Sequence, residues 1–203
     1  RLIGWDTKSE QLHRIVYLAK PVIADHSFLN DLAIDLKNNA IYVADTGTQA
    51  IIVVDLSTGQ TRRVLEGSEF TKAQDIDMII DGKRVEMNGQ PARLGVNPIT
   101  IDPQNEYLYW GAMSGTAIYR IRTEHLNDAE LTDLELVEHV EHYGEKPISD
   151  GITIDDAGNV YITSITDDSI GVTRPDGTYE TLFQDDELSW PDGFAVGLDN
   201  YIY

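Results

Sequence analysis

The sequence predicts an all-β fold, a β-propeller of four-stranded blades with about four blades present and a short helical insertion. Three observations carry that prediction. Four segments align without gaps: NDLAID at Asn30, NPITID at Asn97, DGITID at Asp150 and DGFAVG at Asp192. Successive entrances lie 67, 53 and 42 residues apart, the last within the period of roughly 40–50 residues expected of a blade. After each entrance comes a polar turn and then a strand rich in β-branched or aromatic residues, the period-two signature bounded by Gly, Asn, Asp and Pro.

Taken in order, Leu2–Asp6 and Gln11–Leu18 read as the outer strands of one blade, within residues 1–20. Residues 28–67 form the next blade, with strands in NDLAID, AIYVAD from Ala40, AIIVVD from Ala50 and QTRRVL from Gln60. Residues 68–92 read as a hairpin insertion turning at Asp81-Gly82. The blade over 94–122 contributes YLYWGA from Tyr107 and AIYRIR from Ala117. Residues 123–146 read as a helical insertion, because Thr132 and Glu135 have capping-box spacing and Leu134, Val137 and Val140 recur every three residues. Residues 148–184 give a further blade with VYITS, SIGVTR and YETLF, and 190–203 begin another with a turn at GLDN before YIY. Residues 1–203 are thus expected to form one domain that is part of a larger ring, since a propeller closes to protect its strand edges.

Composition limits the partners. Thirty-five acidic against fifteen basic side chains give a formal charge of −20, which repels nucleic-acid backbones and anionic membranes and attracts cations. No apolar run is long enough for membrane insertion. The absence of cysteine excludes disulfides and thiol nucleophiles.

The repeated entrance is the feature with chemical content. A residue just before the innermost strand of each blade projects towards one mouth of the central channel. Asn30, Asn97 and Asp150 would present hard oxygens to a common point there, suiting calcium or another hard divalent cation. Asp192 holds the matching position in the following blade and is the fourth candidate. Against this stands the plain role of Asn and Asp in closing turns at strand starts. His26, in IADHSFLND, is a ligand-binding candidate at the same mouth, set against an ordinary loop histidine.

FLNDLAIDLKNNAIYVADTG, GEKPISDGITIDDAGNVYIT and LSWPDGFAVGLDNYIY resemble the blade motifs of the major royal jelly protein and yellow family, especially its bacterial members. The resemblance runs from about Val22 to the C-terminus. It implies a ring of six blades, export to the periplasm or outside the cell, and in some members the binding of small molecules. A wider similarity is to the gluconolactonase and regucalcin superfamily. That similarity implies a divalent cation at the mouth, held at Asn30, Asn97 and Asp150, with Asp150 as base in lactone hydrolysis. The family's glutamate ligand has no assigned counterpart, and Pro98 follows Asn97 where that superfamily often has glycine.

Other motifs are set aside. His139 and His142 lie three apart among glutamates and read as a solvated helix face rather than a zinc pair. Tyr109, Trp110 and Trp190 read as packing between blades, with an aromatic pocket as the alternative. No phosphate-binding loop, dinucleotide fingerprint or nucleophile elbow is present. Three functions stay open: small-molecule binding at the mouth, metal-dependent hydrolysis of lactones or esters, and a scaffold for protein partners.

Overall fold

The computed structural model describes residues 1–197 and 201–203. β1 (Leu2–Asp6) and β2 (Gln11–Val16) form a two-stranded antiparallel sheet. β3 (Leu29–Asp35), β4 (Ala40–Asp45), β5 (Ala50–Asp55) and β6 (Thr61–Val64) form the first complete blade, each strand paired with its neighbour in the chain. Two small hairpins follow, β7 (Ile79–Ile80) with β8 (Lys83–Arg84) and β9 (Glu86–Met87) with β10 (Gln90–Pro91). The second blade is β11 (Val96–Ile101), β12 (Tyr107–Ala112), β13 (Ala117–Arg122) and, after helices α1 (Thr123–Asn127) and α2 (Asp133–Glu138), β14 (Glu141–Glu145). β15 (Ile152–Ile154), β16 (Val160–Ser164), β17 (Ser169–Thr173) and β18 (Tyr179–Gln184) make the third. Val196 and Ile202 then bridge; the turn expected at GLDN falls largely outside the described residues.

Each blade is held at its inner turn by an aspartate, buried at Asp35 and Asp102 and half-buried at Asp155. Asp35 accepts from the Asn38 backbone N–H at 2.8 Å, the Asn38 amide at 2.7 Å and the Tyr42 hydroxyl at 2.7 Å. Asp102 accepts from the N–H groups of Glu106 and Tyr107, and Asp155 from those of Ala157 and Asn159. Several donors on one carboxylate satisfy its acceptor sites where the surrounding blade excludes water. For Asp155, burial pushes the pKa up, but the Asn159, Tyr161 and Ala157 donors outweigh it and hold it low. These turns lie at the end of the blades away from the repeated entrances, so their role is structural.

Blades pack face to face. Tyr42, Ile51 and Val53 of the first blade meet Ile99, Leu108, Trp110 and Ile121 of the second, extended by Leu126 and Leu136 from the helices. Tyr109 and Ile118 then meet Ile152, Ile154, Val160 and Ile162 of the third. Trp110 is wholly buried and donates its indole N–H to the Phe70 carbonyl at 2.9 Å. It and Tyr109 are packing residues.

The segment 123–146 differs from its sequence reading. Two short helices replace one, and the second starts where the capping box puts it, with the Thr132 N–H donating to Glu135 Oε2 at 2.8 Å. The helix ends at Glu138, and Glu141–Glu145 turns out to be the fourth strand of the second blade, paired with β13. The open edge of β13 offers a ladder of backbone groups that outweighs the weak three-residue apolar spacing. His139 and His142 therefore do not share a helix face: His139 caps α2 and stacks on His125 at 3.9 Å, while His142 lies in β14.

Candidate functional site

The innermost strands are neighbours, β3 beside β11 and β11 beside β15. Two of them bulge where they enter. β3 pairs Leu29 with Asp45 but Leu32 with Val43, and β11 pairs Val96 with Ala112 but Ile99 with Trp110. Each inner strand thus spends one extra residue, which frees Asn30, Asp31 and Asn97 from strict alternation and turns them to the mouth. In the third blade Asp150 stands ahead of the strand.

The three entrance residues form one chain. The Asn30 amide donates to Asn97 Oδ1, and the Asn97 amide donates to Asp150 Oδ1. Asp150 Oδ2 accepts the Trp190 indole N–H at 2.7 Å. Asn30 is exposed, Asn97 buried and Asp150 half-buried, so the chain is covered at its middle member and more open at its two ends. Asp31 Oδ1 accepts from the Leu32 N–H at 2.8 Å, and its Oδ2 faces the Ile99 N–H at 3.4 Å.

The electrostatics favour a cation. Burial raises the pKa of Asp31, and the nearby charges of Asp192 and Asp150 raise it further against the Leu32 and Ile99 donors. Burial raises that of Asp150 too, with Asp192 adding repulsion, while Trp190, Asn97 and Lys146 pull the other way. Three carboxylates thus feel one another at the mouth, and a bound cation relieves that repulsion.

Gly151 makes the crowding possible. A Cβ there would overlap the Asp192 carbonyl oxygen and stand 2.8 Å from the Gly193 Cα. The entrance of the last segment therefore lies directly against that of the third blade, which brings Asp192 within electrostatic range of Asp150 and Asp31. Behind the mouth a cavity of about 180 Å³ runs along Asp31, Ile99, Thr100, Gly151, Thr153 and Gly193. A larger cleft of about 370 Å³ opens between the second and third blades beside Tyr109, Arg120 and Tyr143. There Arg120 is already paired with Glu141 at 2.7 Å and stacked over Tyr107, so that cleft has less unspent chemistry than the mouth.

The donor set fits a hard cation. Among the described residues no three His, Asp or Glu side chains are arranged to hold a metal by themselves, so a cation here would depend on the oxygens of Asn30 and Asn97 beside that of Asp150. Amide and carboxylate oxygens are ligands for calcium or magnesium, not for a soft metal. Asp192 is exposed, and its carboxylate makes no hydrogen bond to the chain of three. His26 is exposed on the turn before β3, and its imidazole bonds none of these residues. Two further residues reach the mouth, Asp31 and Trp190. Asp31 was signalled by the Asn30-Asp31 pair, and Trp190 by its place two residues before the Asp192 entrance.

A gluconolactonase from Xanthomonas campestris superposes with a TM-score of 0.55 at 15% identity, over 98% of this chain and 59% of that one. Hydrazine synthase from Kuenenia stuttgartiensis gives 0.55 at 11% identity, over 91% of this chain and 43% of that one. Both identities are low and establish the propeller fold alone, and the chain spans about half the length of these structures. A search of curated proteins finds no match. The family model described as major royal jelly protein matches residues 1–194, nearly the whole sequence, and the chain belongs to that family.

Proposed function

We propose that this propeller binds a small molecule at its channel mouth with the help of a divalent cation. The observation that carries this reading is the convergence of Asn30, Asn97 and Asp150, from three separate blades, into one hydrogen-bonded chain beside Asp31 and Asp192. Turn closure explains none of that convergence, because a turn-closing Asn or Asp bonds its own backbone. Export to the periplasm or beyond accords with it, since calcium modules outside the cell work with dissociation constants of about 10⁻⁴–10⁻³ M.

Calorimetric titration of the protein with calcium at neutral pH tests the reading. Saturable binding is expected, weakened more than about tenfold by Asn97→Ala and by Asp150→Ala. Absence of binding, or variants that bind as the parent does, would sink it.

A second reading, hydrolysis of lactones or related esters, is favoured by one observation. Asp150 combines a raised pKa with a position beside the cation oxygens, as a general base requires. A bound cation would polarise the substrate carbonyl. Asp150 would hold the proton taken from water, and Asn97 would keep its carboxylate oriented. Turnover of a lactone panel that survives Asp150→Asn unchanged would exclude this second reading.

A further inference from the structure

We infer that Trp190 is a specificity-determining residue of the mouth: by occupying Asp150 Oδ2 it restricts Asp150 to one-oxygen contact and disfavours large cations relative to small ones. The inference rests on the cation reading above and concerns which cation the site prefers.

Both oxygens of Asp150 already carry a donor. Oδ1 receives the Asn97 amide and Oδ2 the Trp190 indole N–H at 2.7 Å. The two donors differ in kind. The Asn97 amide can turn its own oxygen towards a cation, since O and N of an amide exchange places by a simple flip. The indole N–H is donor only and has no such alternative. A cation that takes Oδ1 alone stays clear of the indole N–H, whereas one that takes both oxygens must share Oδ2 with that donor and approach its positively charged hydrogen, which repels it.

Burial does not explain why Trp190 is there. The residue is 39% exposed, so packing of the ring into a core does not fix its position. Its backbone sits in the left-handed region at φ 53°, a costly conformation for a bulky residue. The neighbouring residue ties the segment down: Ser189 Oγ donates to Asp81 Oδ2 at 2.9 Å, on the turn of the β7–β8 hairpin. That hairpin is itself anchored, with Met78 and Ile80 buried against Met113 and Ile165. On the other side, Asp192 and Gly193 abut Gly151. Trp190 is thus held from both flanks with its single donor aimed at the mouth carboxylate.

Calcium takes six to eight oxygens in flexible geometry and commonly accepts a carboxylate through both. Magnesium demands six near-ideal positions, retains waters and needs only single-oxygen contacts. A carboxylate with one oxygen occupied therefore penalises calcium more than magnesium. Groups that orient a ligating carboxylate shift metal affinity by about 10–100-fold when removed.

The test is calorimetric titration of the parent, Trp190→Phe and Ser189→Ala proteins with calcium chloride and, separately, magnesium chloride. Trp190→Phe keeps a ring and removes the donor. It is expected to raise the ratio of calcium to magnesium affinity about tenfold, and Ser189→Ala to raise it in the same direction by less. A merely structural role would weaken both cations together and leave the ratio unchanged, which overturns the inference while the cation reading stands. Failure of both cations to bind the parent and both variants overturns the two together. Should Trp190→Phe not fold, the Ser189→Ala ratio decides alone, and an unchanged ratio there counts against the inference. In the parent, the indole N–H resonance of Trp190 is expected to stay protected from exchange on magnesium addition and to lose protection on calcium addition.

Discussion

Gly151→Ala is expected to destabilise the protein by about 1–3 kcal/mol or more and to remove cation binding at the mouth. The new Cβ would meet backbone on the facing segment: the Asp192 carbonyl group and, at 2.8 Å, the Gly193 Cα. Gly151 cannot retreat, because its N–H donates to Thr163 Oγ1 at 2.9 Å and its carbonyl accepts the Thr163 N–H at 3.1 Å. The segment through Asp192 must therefore give way, carrying Trp190 off Asp150. Gly193→Ala is the matched control, since a Cβ at that position meets nothing within 4 Å. Its stability should stay within about 0.5 kcal/mol of the parent. Urea unfolding followed by circular dichroism compares the two, and equal midpoints would show that the close approach at Gly151 is not structurally required.

The same contact shows what was legible in the sequence. The repeated Asn or Asp entrances marked which residues share the mouth, because a propeller places equivalent positions around one axis. Strands such as AIYVAD and VYITS were readable from their own composition. What escaped depends on contacts between distant residues. β14 has no apolar periodicity of its own and forms because β13 offers an edge. Asp31 reads as one more alternating strand residue until the bulge between Leu29 and Leu32 turns it. Trp190 reads as packing until the Ser189–Asp81 tie, spanning 108 residues, sets its direction.

Lys146 supplies the second large effect, a rise in stability as pH increases from neutrality. Its side chain is buried, with Nζ donating to the carbonyls of Gly115 and Pro147 at 2.9 Å each, and among the described residues no carboxylate lies within ion-pair distance. Burial disfavours the ammonium, the charge of Asp150 offsets this only in part, and the pKa falls from 10.5 to about 7. In the unfolded chain the amine keeps its ordinary pKa. Between about pH 7 and 10.5 the unfolded state therefore holds a proton that the folded state lacks, and stability must increase with pH. The slope approaches about 1.4 kcal/mol per pH unit inside that window. Below about pH 7 both states are protonated, and the cost of the buried charge is full and constant. Burial also raises the pKa of Tyr42 and Tyr143, whose folded forms keep protons that the unfolded chain sheds near pH 10. They act in the opposite sense there, so pH 7.5–9.5, roughly, is the interval in which Lys146 dominates. Urea unfolding at steps across this interval should show the rise in the parent and a flat profile in Lys146→Met. Parallel profiles for the two would mean that Lys146 keeps its proton when folded, and that the carbonyls of Gly115 and Pro147, with the charge of Asp150, compensate its burial.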